Sequence, residues 1–254
     1  MYLCTMEWKI VHIDETDSTN RWLRECHNGV RTLCDISGDV TKCPDPIVTW
    51  AEYQTAGKGC GTNSWESERG KNLTFSMLIH PEEIEANKQF YITEVVSVAM
   101  CRVLQSYIYN KVEIKWPNDI YVDDRKICGM LIENRLQGAV IKDSIIGIGL
   151  NVNQRVFTSD APNPVSMIQL TGREIDREAL LQAFLQAFEQ AWTSDTVESD
   201  YRQLLYRREG FYPYEDRQGR FEARIVGIEP DGHLSLEDRE GRRQYAFKEV
   251  MFVI

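Results

Sequence analysis

The sequence predicts an α+β fold: a mixed β-sheet packed with helices, followed by a small all-β module. Three observations carry that expectation. Val112–Asn134 reads as strand, break, hairpin and strand again. Phe90–Ile108 and Asp176–Trp192 place apolar residues at helical spacing. From about Pro213 the chain changes to short alternating strands separated by Pro230-Asp231-Gly232 and Glu240-Gly241 turns. The expected division is a larger domain over 1–212 and a smaller one over 213–254.

Composition bounds the function. The 254 residues are 43% hydrophobic and 27% charged, as in an ordinary globular protein. No apolar run approaches the roughly 20 residues that span a bilayer. The start, MYLCTMEWKI, lacks the basic region and long apolar core of a signal peptide, so no membrane partner is expected. Seven cysteines, without CxxC spacing or paired histidines, point to reduced thiols in a cytoplasm and to no metal site. A net charge of −10 argues against nucleic acid as a partner.

In chain order, Glu15–Asn20 leads into a helix at Arg21-Trp22-Leu23. Asp17, Ser18, Thr19 and Asn20 are helix-capping residue types, and a helix start gathers free N–H groups and hydroxyls at one spot. Residues 28–46 are rich in Gly, Asp, Thr and Pro and read as a surface excursion with no assigned role. Ile47–Tyr53 is a buried strand leading into Gln54–Trp65. The glycines at 57, 59 and 61 make that segment a mobile loop whose backbone can approach a ligand closely. Leu73–Ile79 is a strand, and Phe90–Ile108 is a helix facing the core.

In the central stretch, Val112-Glu113-Ile114 alternates as a half-buried strand does. Pro117 removes a donor and forces Trp116 into an extended conformation, which breaks the ladder. Ile120-Tyr121-Val122 resumes it, Asp123-Asp124-Arg125 turns it, and Ile127–Ile132 returns it. Asn118, Asp119, Lys126 and Gly129 cluster where the sheet is interrupted, so an amide, a carboxylate, an ammonium and a bare backbone position converge on one pocket. Ile145–Leu150 is a buried strand punctuated by Gly147 and Gly149 and ended by Asn151. Asp176–Trp192 and Thr196–Arg208 are helices, and Phe221–Ile228, His233–Glu237 and Gln244–Val253 are short strands.

Together these segments resemble biotin–protein ligases. ETDSTN at 15–20, AEYQTAGKG at 51–59, KWPND at 115–119, DRKxxGxL at 124–131 and GIGLNVN at 147–153 occur in the family's order within about the first 155 residues. The resemblance implies a monofunctional ligase, with no DNA-binding domain ahead of the catalytic motifs, and a Src-homology-3-type barrel at the C-terminal end. It implies biotin and ATP as substrates, Mg²⁺ arriving with the nucleotide, and a lysine of a biotin carboxyl carrier domain as acceptor.

The resemblance also assigns roles. Ser18, Thr19 and Asn20 lie against the ureido ring, and Gln54 hydrogen-bonds biotin. Lys58, Gly59 and Cys60 fold over the biotinyl-adenylate, Trp65 closes on it, and Asn151 sits near adenine or ribose. Asn118 and Gly129 complete the pocket. Lys126 is the candidate catalytic cation, with Lys115 as its rival, and Asp119 the candidate proton acceptor. One departure stands out: the family's loop runs roughly G-R-G-R-x-G-R, whereas Gly57–Asn63 keeps a single cation, Lys58, and carries Cys60 at an arginine position. A lipoate- or octanoate-transferring relative and a non-catalytic biotin-binding protein are the alternatives, and homodimerisation through a sheet edge is left open.

Overall fold

The computed structural model describes residues 6–30, 46–61, 63–159 and 161–254. Its larger sheet is built from β1 (Lys9–Thr16), β2 (Ile47–Gln54), β3 (Leu73–Ile79), β4 (Val112–Lys115), β5 (Asp119–Val122), β6 (Arg125–Gln137) and β7 (Val140–Leu150). The spatial order is β1-β2-β3-β7-β6-β5-β4. β1 and β2 run parallel and the other neighbours antiparallel, so the sheet is mixed as expected.

Strand alternation gives this sheet two unlike faces. One carries Trp50, Phe75, Met77, Met130, Ile146 and Ile148, all buried. Helices α2 (Phe90–Tyr107) and α4 (Arg177–Trp192) cover it, with Phe184 edge-on to Phe75. Fully burying a side chain of this size contributes about 1.5–3 kcal/mol, so this face is the core. The opposite face carries Thr74, Ser76, Gly129, Gly147 and Gly149, which leave room above the sheet. Helix α1 (Thr19–His27) covers only part of that face. It sets Trp22, Leu23 and Cys26 against Val11, Ile47, Leu78 and Ile145.

Local signals account for most element ends. Asp176 caps α4 by accepting from the backbone N–H groups of Glu178 and Ala179. The short α3 (Met167–Thr171) starts in a capping box between Ser166 and Gln169 and stops at Gly172, whose φ of 73° suits a residue without Cβ. At α1 the capping expectation fails in part. Ser18 occupies the N-cap position, but its side chain makes no capping hydrogen bond. Asp17 Oδ1 accepts from the Ser18 N–H instead, at 2.8 Å.

Other expectations need correction. The helix expected over Thr196–Arg208 is only α5 (Val197–Gln203). Leu204–Tyr206 is drawn out by β4: Ile114 N donates to Leu204 O, and Tyr206 N donates to Ile114 O. β1 was not read as a strand, because its partner lies more than thirty residues downstream. Of the surface excursion over 28–46, residues 31–45 lie outside the described residues, and 28–30 close α1.

The C-terminal module is a five-stranded antiparallel sheet of β8 (Tyr212–Asp216), β9 (Gly219–Ile228), β10 (Leu234–Glu237), β11 (Arg242–Tyr245) and β12 (Met251–Phe252), in the order β11-β10-β9-β8-β12. The strand expected at Gln244–Val253 is split in two by a turn containing Lys248, whose φ is 71°. β8 was missed because Pro213 disguises it. The module docks on the hairpin break: Trp116 Nε1 donates to Gly232 O at 2.9 Å, and Phe247 stands edge-on to the Trp116 ring. Among the described residues, no helix is long and apolar enough to cross a membrane.

Glu94 on α2 is buried, with 6% of its surface exposed. Burial raises its pKa to about 7, with Glu198 adding to the rise and Arg202 opposing it. A carboxyl whose folded pKa exceeds its unfolded one binds the proton more tightly in the native state, so stability falls as pH rises from about 4.5 to 7. Glu94→Gln is therefore expected to stabilise the fold by about 2–3 kcal/mol at pH 8 and to change little at pH 4.5. Urea unfolding at the two pH values measures this; equal shifts at both would remove the explanation.

Candidate functional site

Above the small-residue face lies a cavity of about 740 Å³. Ser18, Thr19, Asn20, Gln54, Lys58, Gly59, Cys60, Trp65, Asn118, Asp119, Lys126, Gly129 and Asn151 all line it, so the structure brings every expected site residue to one place. They arrive from α1, β2 and its following loop, the β4–β5 break, β6 and the end of β7.

One wall is a saturated hydrogen-bond network at the start of α1. Gln54 Oε1 accepts from Thr19 N at 2.8 Å and from Thr19 Oγ1 at 3.2 Å. The Ser76 hydroxyl lies 2.6 Å from Asn20 Oδ1 and 2.7 Å from Thr19 Oγ1. Asn20 Nδ2 donates to Glu133 Oε2 at 2.8 Å. Ser76 and Glu133 were not expected from sequence; the first is buried on β3 and the second projects from β6. Their effect is to lock polar side chains that would otherwise rotate.

The opposite wall is the β4–β5–β6 meander: the break expected at Pro117 is a turn over Trp116–Asn118 that reverses the chain, so β5 pairs antiparallel with β4 rather than continuing it. Lys126 Nζ lies 2.7 Å from Asp119 Oδ1, with both side chains about a quarter to a third exposed. Asp119 pairs with Gly129 across β5–β6, and Tyr121 pairs with Lys126, with a register shift between Ile120 and Tyr121. That bulge matters. Lys126 and Gly129 are three residues apart, an odd spacing that puts side chains on opposite faces of a regular strand; the extra residue returns both to the cavity face. Asn118 Nδ2 donates to Met130 O at 2.8 Å and ties the break to β6.

Lys115 pairs with Asp119 and lines the same cavity. Its ammonium stands 5.0 Å from the Phe252 ring centre and 5.3 Å from that of Tyr121. Burial lowers its pKa, Asp119 pulls the other way, and Lys126 and Arg207 lower it further. Its strand position therefore does not remove Lys115 from the site.

Glycines form the floor. A Cβ on Gly149 would collide with the Trp65 indole, one on Gly147 would collide with the Asn20 amide, and one on Gly129 would come within 3.1 Å of both Trp65 and Lys126. Trp65 thus lies directly on β6 and β7, with Lys126 Nζ 5.8 Å from its ring centre. Among the described residues, two buried polar atoms here have no hydrogen-bond partner: Trp65 Nε1 and Asn151 Oδ1. Buried polar groups are nearly always satisfied, so this orphan donor and orphan acceptor leave two hydrogen bonds for a ligand to make.

The loop expected to be mobile is folded into a short antiparallel turn. Lys58 bridges Ser64, Gly59 N donates to Asn63 O at 2.8 Å, and Trp65 N donates to Gly57 O at 2.9 Å. From the C-terminal module, Lys248 Nζ donates to Cys60 O at 3.4 Å and crowds Gly61 so closely that a Cβ there would collide with it. Sequence reading missed Lys248, since nothing local marks a residue from another sheet as part of the site. Facing the loop, Glu66 accepts from the N–H groups of Thr158 and Ser159. Burial raises its pKa, but hydrogen bonds from Ser159 and Thr158 outweigh this and hold it low.

An α+β domain whose sheet presents lysines, a carboxylate and a row of glycines to one cavity belongs to the class with a small-ligand pocket above a mixed sheet. Residues 33–151 match the model of the Biotin/lipoate A/B protein ligase family. A bifunctional ligase/repressor of Bacillus spizizenii is 30% identical over 220 residues, covering 78% of this chain and 63% of the relative. The Escherichia coli ligase/repressor is 34% identical over 202 residues, covering 79% and 55%. The chain thus spans between half and two thirds of the length of these relatives. The biotin protein ligase of Aquifex aeolicus, solved in complex with biotin and ATP, superposes with a TM-score of 0.75 at 22% identity, covering 96% of this chain and 99% of that one. The likeness establishes the fold.

If Lys248 holds the loop from the second module, Lys248→Met is expected to speed amide exchange across residues 57–65 two- to tenfold and to leave β3 and β7 unchanged. Hydrogen–deuterium exchange by mass spectrometry reads this directly, and an unchanged loop would mean that its own turn bonds suffice.

Proposed function

We propose that this chain is a biotin–protein ligase. It joins biotin to ATP as biotinyl-5′-AMP and then moves the biotinyl group to one lysine of a biotin carboxyl carrier domain. The observation that carries this reading is the Lys126–Asp119 pair on a glycine floor, facing the locked Thr19–Asn20–Gln54 network across one cavity. Residues 1–212 act as the catalytic domain and 213–254 as the appended domain, in the cytoplasm. The outer edge of β1, the end of the sheet, is where a second copy would add.

In the first step a carboxylate oxygen of biotin attacks the α-phosphorus, the bond to the bridging oxygen breaks, and pyrophosphate leaves with that electron pair. Bringing two anions together costs about 4 kcal/mol at contact distance in a medium of moderate dielectric. Lys126 lies between them and offsets the charge, with Lys58 and Lys115 alongside. Mg²⁺ arrives as part of the nucleotide, held by phosphate oxygens and water. That suits a cavity in which Asp119 is paired with Lys126 and Glu66 accepts from Thr158 and Ser159.

The two orphan atoms suit the same substrate. Asn151 Oδ1 accepts from adenine or ribose, and Trp65 Nε1 donates to a ligand oxygen. In the second step the acceptor amine attacks the biotinyl carbonyl, the bond to AMP breaks, and Asp119 takes the amine proton. Ser18, Thr19, Asn20 and Gln54 hold the ureido ring, while Gly59 and Cys60 cover the intermediate.

Biotin-dependent exchange of pyrophosphate into ATP tests the first step. Lys126→Gln is expected to lower it at least a hundredfold, about 2.7 kcal/mol of transition-state stabilisation, with an unchanged fold. Asp119→Asn is expected to retain exchange within tenfold and to slow transfer to a carrier domain much more. Biotin binding without exchange in the wild-type protein would make the chain a binding protein. Equal loss of both steps in Asp119→Asn would remove the proton-acceptor role.

A further inference from the structure

A second polar cluster occupies the same sheet face as the cavity, at the other end of α1. The helix passes over β7 from Asn20, beside Gly147, to His27, a length of about 10 Å at 1.5 Å per residue. There it meets Asp143 of β7 and His80, the residue after β3. His80 Nδ1 lies 2.7 Å from Asp143 Oδ1, and His27 Nε2 lies 3.5 Å from Asp143 Oδ2. The two imidazole centres are 5.5 Å apart, and one donor atom from each of the three residues falls within 4.8 Å of the other two. None of the three lines the cavity.

We propose that His27, His80 and Asp143 bind a divalent transition-metal ion, Zn²⁺ in first preference, which fastens the end of α1 to the sheet. Two imidazole nitrogens and one carboxylate oxygen are the donor set of an open zinc site, with water as the fourth ligand. Bonds of about 2.0–2.1 Å place tetrahedral donors about 3.3 Å apart, so the three side chains have only rotamer-scale movements to make. They stand on three separate elements, which holds them near that geometry.

A second observation points the same way. Asp143 is 3% exposed, yet among the described residues its Oδ1 is buried with no hydrogen-bond partner, His80 Nδ1 approaching it at 2.7 Å as an ion pair. The imidazoles are about a quarter exposed, which leaves a path for the ion.

Arg135 is the competitor. Its guanidinium bonds Asp143 Oδ2 and comes within 3.1 Å of His27 Nε2. More than half of that side chain is exposed, so it has room to withdraw into solvent when the ion enters. The histidines were invisible as a pair in the sequence because 53 residues separate them. Sheet register and helix placement bring them together.

The test is titration of the chelator-treated full chain with Co²⁺, followed by its visible ligand-field absorption, with Zn²⁺ as displacing ion. Neither biotin nor ATP is needed, so the outcome is independent of the ligase reading. One equivalent of Co²⁺ is expected to bind, with intense bands of low coordination number, and Zn²⁺ is expected to abolish them. His80→Gln and Asp143→Asn should each weaken binding at least tenfold while thermal melts without metal confirm that both variants fold. Arg135→Ala should tighten binding at least fivefold. Absence of stoichiometric uptake, or equal affinity in folded His80→Gln and Asp143→Asn variants, would overturn the proposal.

Discussion

The one-residue bulge between β5 and β6 is the constraint on which the site depends. A strand has a side-chain period of two, and without the shift at Ile120/Tyr121 Lys126 and Gly129 could not share a face. With it, Lys126 reaches Asp119 at 2.7 Å, while Gly129 leaves the floor open beneath the Trp65 ring. Pro117 lies in the tight turn that folds β5 back on β4, and the Asn118–Met130 bond ties that turn to β6, so the ion pair rests on paired strands of the sheet.

The sheet divides the labour between its faces. Large apolar residues beneath α2 and α4 supply the stability, which allows the other face to carry the side chains a cavity needs. Gly147 and Gly149 weaken the intrinsic strand preference of β7, yet they are placed where Asn20 and Trp65 must lie against backbone. Ser76 pays a burial cost of its own that its contacts with Thr19 and Asn20 offset. Local rules are broken here because the side chains that line the cavity lie against these positions.

Contacts between separate sheets complete the site. The C-terminal module touches the hairpin break through Phe247 and Gly232 and the loop through Lys248. Lys248 brings a cation to a loop that carries only Lys58 among its own residues. A left-handed φ of 71° at a lysine is an uncommon conformation, maintained by the turn between β11 and β12.

Sequence by itself determined the motifs, the α+β class and most elements: Leu73–Ile79 and α2 lie within a residue of expectation, and every expected site residue lines the cavity. Those signals are local, carried by apolar period, proline, glycine and short motifs. Tertiary structure decided the rest. β1 became a strand because a distant partner offered a ladder, β8 became one despite Pro213 by folding back on β9, and Leu204–Tyr206 left the helical path because β4 offered backbone hydrogen bonds. Ser76, Glu133 and Lys248 joined the site, and His27, His80 and Asp143 met one another, through register and docking. These depend on which chain segments become neighbours, and no window of sequence contains that information.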